Sequence, residues 1–261
     1  MRRYIITLLT LIGQLPCLAQ QAIDLGLSVS WADCNLGAER PKAVGNMLAW
    51  GELEPKSEYT LGTYRLGTGK YWHPTKYICD SQASDAATPD GKSHLEPEDD
   101  AATQMLGDDW RIPTRDELTE LVEKCEWQWV ANADSIGYHI TGPSGRSLFL
   151  PATGIRTGKR HLSSRAEGFY WSSDAITYLL DVAFALRFTP RLINHDNYKE
   201  TPRSNGCAIR AVNTNECTAV HGEGAFFDID AACDIAAGEA IVIAFGRSIL
   251  NGIGIGRSVC I

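Results

Sequence analysis

The sequence lacks a hydrophobic run long enough to cross a membrane as a helix. The apolar run near its start, residues 4–12, is much shorter than the ~20 residues that span a bilayer, and Pro16 follows it. A positively charged start precedes this run and a small-residue pattern ending at Ala19 follows it, which is the order typical of a secretory signal peptide. We therefore predict that residues 1–19 are a signal peptide and that no transmembrane segment remains after cleavage. The mature protein is then secreted, or lies at the cell surface or in the periplasm.

Basic residues are also scarce. The 261 residues include 24 Lys and Arg against 32 Asp and Glu, and loss of Arg2 and Arg3 with the signal peptide leaves a formal charge of −10. A chain of this charge repels polyanions. The composition therefore argues against nucleic acid and anionic membrane surfaces as partners.

Closely spaced cysteines are missing. Cys17 belongs to the predicted signal peptide, and the seven cysteines that remain form no Cys-x-x-Cys pair of the kind that binds zinc or exchanges thiols. An exported chain meets an oxidising environment, where an odd number of cysteines leaves at least one free or intermolecular. The seven are Cys34, Cys79, Cys125, Cys207, Cys217, Cys233 and Cys260.

Familiar catalytic patterns are missing as well. Ser172 and Ser173 lie outside any Gly-x-Ser-x-Gly sequence, and the six histidines show no linked spacing. We assign no catalytic residue and predict that the protein is not an enzyme.

Two segments carry the signals of helices. In residues 97–106, Pro97 suits a first helical position, acidic residues fill the opening turn and Gly107 suits the C-cap. In the second, Thr114 and Glu117 form a capping box. An apolar face follows at helical spacing: Leu118, Leu121, Val122 and Cys125.

The rest of the chain up to residue 213 reads as short strands, turns and long loops. Alternating or apolar runs at residues 127–130, 138–141 and 147–151 are separated by glycines. Two helices with a mostly antiparallel set of strands predict an α+β domain over residues 20–213. From residue 214 to 261 the composition changes to Ala, Gly and Ile, so we place a tail of unknown structure there, either a small addition or the product of a shifted reading frame.

Several ordered motifs carry a family resemblance. They are Trp-Arg-Ile-Pro-Thr-Arg-Asp-Glu-Leu at 110–118, Phe-Tyr-Trp-Ser-Ser at 169–173 and Ala-Ile-Arg-Ala-Val at 208–212, with further matching segments at 24–38, 49–52 and 95–102. Together these segments resemble the Fibrobacter succinogenes major paralogous domain family, which is frequent in secreted proteins of Bacteroidales. The resemblance implies a C-type-lectin-like domain with two helices, an irregular, mostly antiparallel sheet and long loops. Because Cys34 and Cys125 both fall in or beside these motifs, it also suggests a disulfide between them.

The chain departs from this family in places. Few aromatic residues follow the Tyr-Trp-Ser-Ser motif, and Ala211 stands where the family has proline. The same broad fold includes formylglycine-generating enzymes that use a pair of cysteines, for which Cys207 and Cys217 are the nearest candidates here. Their spacing and surroundings do not match that chemistry.

The acidic pair Asp99 and Asp100 has two interpretations. Carboxylates can bind Ca²⁺, which would then be the cofactor, or they can stabilise the positive end of a helix without any metal. We favour the second interpretation, because adjacent carboxylates do not by themselves enclose an ion. Apart from this calcium alternative we expect no cofactor.

The family resemblance places variable ligand loops near residues 187–199. Such loops carry function more often than the scaffold does, and polar residues suit adaptable recognition. The candidate ligand-binding residues are Arg191, Asn194, His195, Asp196 and Tyr198.

We therefore expect an exported, non-enzymatic binding or adhesion module whose partner is an extracellular glycan or protein. The alternatives are a structural subunit of a cell-envelope or fimbrial assembly and, less favoured, a formylglycine-generating type of sulfatase-modifying enzyme.

Overall fold

A computed structural model describes residues 20–69, 74–79 and 88–214, and for residues 192–200 it describes the backbone alone. The predicted signal peptide lies outside these residues. So does the predicted tail, apart from Thr214.

The described chain forms short strands and two helices. In chain order the strands are β1 (Ala22–Ile23), β2 (Ser30–Ala32), β3 (Met47–Leu48), β4 (Trp110–Arg111), β5 (Glu126–Ala131), β6 (Ile136–Thr141), β7 (Ser147–Pro151), β8 (Ile155–Thr157), β9 (Arg160–Leu162), β10 (Gly168–Ala175), β11 (Val182–Thr189), β12 (Leu192–Pro202), β13 (Cys207–Ala208) and β14 (Val212–Asn213). The helices are α1 (Ala101–Leu106) and α2 (Arg115–Lys124), and 3-10 turns occupy Leu61–Thr63 and Pro97–Asp99.

The strands form four sheets. The largest has the order β12-β11-β10-β13-β3, and a second has the order β1-β2-β14-β4. A three-stranded sheet runs β5-β6-β7, and β8 pairs with β9 alone. The pairing is antiparallel except between β10 and β13, so the predicted α+β class is confirmed. No helix among the described residues is long and apolar enough to cross a membrane.

The first predicted helix is divided in two. Pro97 opens a 3-10 turn as expected, and Gly107 ends α1 with a φ of 97°. Between them, Asp100 has an extended backbone because its side chain caps the start of α1. The helix is therefore shorter than residues 97–106.

The second predicted helix is confirmed. Thr114 accepts a hydrogen bond from the Glu117 amide, and the Glu117 side chain accepts one from the Thr114 amide. Leu118 and Leu121 are buried, while Val122 and Cys125 pack against the same cluster. The capping box and the apolar face thus have the roles that their spacing predicts.

Strand β10 lies between two apolar clusters. All eight of its residues are buried. Tyr170 packs in one cluster with Trp31 and Phe188, whereas Trp171 packs in the other with Trp50. Neighbouring residues of a strand point to opposite faces, so this one strand contributes to both parts of the core.

Cys34 and Cys125 are free thiols in the structure, so the predicted disulfide between them is not present. Cys125 ends α2 and packs against the cluster that contains Trp31. Cys34 lies instead in a buried position near the charges of Asp33 and Arg210. Burial raises the pKa of each thiol to about 11, which disfavours the reactive thiolate.

Candidate functional site

The predicted ligand loop is a strand. Asn194, His195, Asp196 and Tyr198 lie in β12, at one edge of the largest sheet, and Arg191 is exposed in the turn before it. The family resemblance implied a loop here, but the polar residues also suit an edge strand, where they discourage further pairing. The structure describes only the backbone of these four strand residues, so their role in binding remains a prediction.

Asp99, one of the two candidate calcium ligands, already has protein partners. Its Oδ2 accepts a hydrogen bond from the Tyr77 hydroxyl at 2.7 Å and lies 2.6 Å from the Lys76 ammonium. An ammonium group at this distance supplies the positive charge that a metal would otherwise provide.

Asp100, the other candidate, uses both oxygens to hold the backbone. Oδ1 accepts from the amides of Ala102 and Thr103 at 2.8 and 3.1 Å, and Oδ2 accepts from the Ile112 amide at 2.8 Å. Burial raises the pKa of this carboxyl group. Across the described ranges, no group of three or more His, Cys, Asp and Glu residues is placed to hold a metal. These contacts favour the helix-capping interpretation.

Cys207, the candidate for cysteine chemistry, is fully buried in β13. Burial raises the pKa of its thiol well above the ordinary value, which is the reverse of what a nucleophilic cysteine requires. Cys217 lies outside the described residues.

A cleft of about 380 Å³ lies beside the start of α2, and we call it the His94 cleft. It forms where the segment before the 3-10 turn at Pro97–Asp99, the N-terminal end of α2 and the end of β10 come together. Its lining residues are Ser93, His94, Thr114, Arg115, Asp116, Asp174, Ala175, Thr177, Tyr178 and Phe184.

Asp174 organises this cleft. One carboxylate oxygen accepts a hydrogen bond from the Arg115 amide at the start of α2, and the other contacts Nδ1 of His94. The carboxylate is largely buried, and burial raises its pKa, while the His94 side chain is 62% exposed. A backbone bridge between His94 and Asp174 fixes the two segments further.

Aromatic side chains complete the cleft. Tyr178 is 63% exposed, whereas the Arg115 guanidinium lies over the Phe184 ring, 4.6 Å from its centre. A guanidinium held on an aromatic face keeps its hydrogen-bond donors in a fixed plane. The cleft thus brings together an imidazole positioned by a buried carboxylate, a guanidinium and an exposed phenol ring.

Several residues of the sequence motifs hold the scaffold together. Trp171 donates from Nε1 to the Leu48 carbonyl at 2.8 Å, and Trp50 donates to the Ser172 carbonyl at 2.9 Å. Arg111 forms two hydrogen bonds with the Glu117 carboxylate. These side chains are therefore engaged within the protein.

Sequence reasoning missed the His94 cleft. Asp174 directly follows the Phe-Tyr-Trp-Ser-Ser motif, and Thr114, Arg115 and Asp116 lie within the motif at 110–118. His94 directly precedes the matching segment at 95–102, but no local pattern predicts its contact with Asp174. Only the tertiary bridge to Asp174 identifies it.

Comparisons of this chain with protein-family models, with curated proteins and with solved structures found no match.

Proposed function

We propose that this protein is an exported, non-enzymatic binding module that recognises a polar group of an extracellular glycan or protein in the His94 cleft. The observation that carries the proposal is the arrangement around Asp174. One buried carboxylate positions both an exposed imidazole and the start of α2, next to an exposed tyrosine. Binding sites commonly combine a few positioned polar groups with aromatic surface in this way.

The scaffold of the proposal is a C-type-lectin-like domain. It is supported by the family motifs, by the two helices and by the short, mostly antiparallel strands joined by long segments without regular structure. Export is supported by the signal-peptide pattern of residues 1–19.

The non-enzymatic part of the proposal is supported by Cys207, whose burial disfavours a thiolate. The His94 pair with Asp174 is the arrangement most open to catalysis, because a carboxylate can orient an imidazole as a base. Turnover of a bound ester or glycoside that is lost in His94→Ala would overturn this part.

The proposal is tested with purified residues 20–261 on an array of glycans and extracellular matrix proteins. His94→Ala and Tyr178→Ala should each weaken binding about tenfold, as expected for residues at the centre of a binding site. Glu123→Gln is the matched control, because Glu123 is exposed near the C-terminal end of α2 while the cleft adjoins its N-terminal end. A bound ligand whose affinity is the same for all four proteins would place the site elsewhere.

A second candidate is a structural subunit of an envelope or fimbrial assembly. The observation that favours it is β12, an edge strand of 11 residues in the largest sheet. Edge strands present unpaired backbone groups that a partner strand can satisfy. Concentration-dependent assembly that is blocked by a proline at Tyr198 would favour this function over binding in the cleft.

A further inference from the structure

The hairpin formed by β8 and β9 is positively charged in an otherwise acidic chain. Residues 155–165 contain Arg156, Lys159, Arg160 and Arg165 and no acidic residue, whereas the whole sequence has a formal charge of −8. Cations grouped on one short hairpin create a local positive potential that the net charge conceals.

The tip of this hairpin lines a cleft of about 400 Å³, which we call the hairpin cleft. Lys159 and Arg160 lie on one side of it, and the loop after β12 supplies Ser204 and Asn205. The hairpin is held in place by two backbone bridges: Gly158 pairs with Tyr59, and Arg156 pairs with Gly206. The two cations therefore project from a fixed turn.

Neither cation is neutralised by a close ion pair. In the part of the chain that the structure describes, Arg160 forms no salt bridge, and the Lys159 ammonium lies 3.8 Å from a carboxylate oxygen of Glu58. The Lys159 side chain is 78% exposed, and an exposed pair at that separation contributes little. Both charges are thus available to an anionic ligand.

Neutral hydrogen-bonding groups stand beside the cations. Thr157 donates to Oδ1 of Asn205 at 3.2 Å, so the amide nitrogen of Asn205 keeps its hydrogen atoms for another acceptor. Pro202 adds exposed apolar surface, whereas Tyr59 and Ser204 form the nearly buried floor of the cleft. Asp181 lines the cleft and Glu58 lies beside Lys159, so these two acidic groups offset two positive charges, and Arg156 of the same hairpin leaves one positive charge in excess.

We propose that the hairpin cleft binds an anionic polysaccharide, with Lys159 and Arg160 holding its sulfate or carboxylate groups and Thr157 and Asn205 contacting its hydroxyls. A planar guanidinium matches the geometry of such oxyanions, and the mixture of neutral donors with ring surface suits a sugar better than an acidic peptide. The site is separate from the His94 cleft and does not depend on the function proposed for it.

The test measures binding of residues 20–261 to dextran sulfate, polygalacturonate, neutral dextran and poly-L-glutamate by calorimetry, with thermal melting to check that each variant folds. We expect Arg160→Glu to weaken binding to the anionic dextran or to polygalacturonate about tenfold, since it replaces an attraction by a repulsion. Arg146→Glu is the matched control, with the same charge change at the exposed turn between β6 and β7. It should lower the affinity less than twofold, because salt screens the effect of a charge that lies far from the bound polysaccharide.

Thr157→Val distinguishes binding in the cleft from attraction by charge alone, because it removes a hydroxyl without changing the net charge. We expect this variant also to lose affinity for the preferred polysaccharide. The anionic polymer that binds more tightly identifies the oxyanion as sulfate or carboxylate.

Three results would overturn the proposal: equal losses in Arg160→Glu and Arg146→Glu, equal binding of poly-L-glutamate and the polysaccharides, or no binding of any anionic polymer. His94→Ala should leave the polysaccharide affinity unchanged. A failure of the hairpin cleft is thereby distinguished from a failure of the His94 cleft.

Discussion

Arg210 donates a hydrogen bond from Nε to Oδ1 of Asn35 at 2.9 Å, which joins the sequence motif at 208–212 to the segment at 24–38. The guanidinium is fully buried and has no carboxylate partner among the described residues. Its remaining nitrogens donate to the carbonyls of Ala32, Asp33 and Phe149 at 2.8 to 2.9 Å. Burial lowers the pKa of this arginine, and the planar set of acceptors offsets the cost of burying its charge.

We expect Arg210→Lys to lower the free energy of unfolding by about 3 kcal/mol, because a single ammonium cannot reach all four acceptors and leaves buried carbonyls without donors. Urea denaturation followed by tryptophan fluorescence measures the change. Arg146→Lys at an exposed turn serves as control. A loss below about 1 kcal/mol would show that the buried guanidinium is not required by the fold.

Asp100→Asn should cost about 1–2 kcal/mol, since the amide nitrogen that replaces one carboxylate oxygen cannot accept a hydrogen bond from a backbone amide. The affected bonds cap α1 and hold the Ile112 amide. The measurement is the denaturation midpoint, with and without Ca²⁺. Asp108→Asn, an exposed change of the same kind, should have no effect. Calcium-dependent stability in the unaltered protein that Asp100→Asn abolishes would revive the metal-site interpretation.

Gly168→Ala should lower stability by about 2–3 kcal/mol through overpacking. A Cβ atom at Gly168 would lie 2.1 to 2.5 Å from atoms of the Phe188 ring, inside the cluster that also contains Tyr170. Gly62→Ala is a suitable comparison, because a Cβ there meets only a threonine oxygen at 3.8 Å. If both variants melt at the same temperature, the close packing of β10 on β11 is not as tight as the structure indicates.

Cys34 and Cys125 should both be recovered as free thiols, and both should react slowly in the folded protein. With pKa values of about 11, roughly one thiol in a thousand is ionised at pH 8, and only the thiolate attacks an alkylating reagent. Alkylation without reduction, before and after denaturation, followed by peptide mass analysis, measures both properties. A linked Cys34–Cys125 peptide would restore the disulfide expected from the family motifs.

The same raised pKa values have a consequence for stability at high pH. For a group whose folded pKa exceeds its unfolded value, the stabilisation is complete below the unfolded pKa and is lost as the pH rises through the folded pKa. For these two thiols the window runs from about pH 9 to about pH 11. The pH midpoint of alkaline unfolding in this window should therefore rise when both cysteines are replaced by Ala.

The local features of the fold could be predicted from the sequence, because each depends on residues a few positions apart. The capping box of Thr114 and Glu117 and the apolar face of α2 are examples. The contact of Asp100 with the Ile112 amide could not be predicted, since this partner is distant in the sequence. The His94 cleft could not be predicted either, because its two central residues meet only through the bridge between the segment at His94 and the end of β10.

Strand β14 pairs with β2 on one side and with β4 on the other. The last strand of the domain thus completes a sheet whose other strands come from its first half. A chain that emerges from a ribosome or a membrane pore with its N-terminus first has a gap in this sheet until residue 213 appears. We therefore expect folding to be completed late, by long-range contacts that form slowly. Such an order of assembly would give the chain time to pass a membrane unfolded, should the predicted signal peptide direct it there.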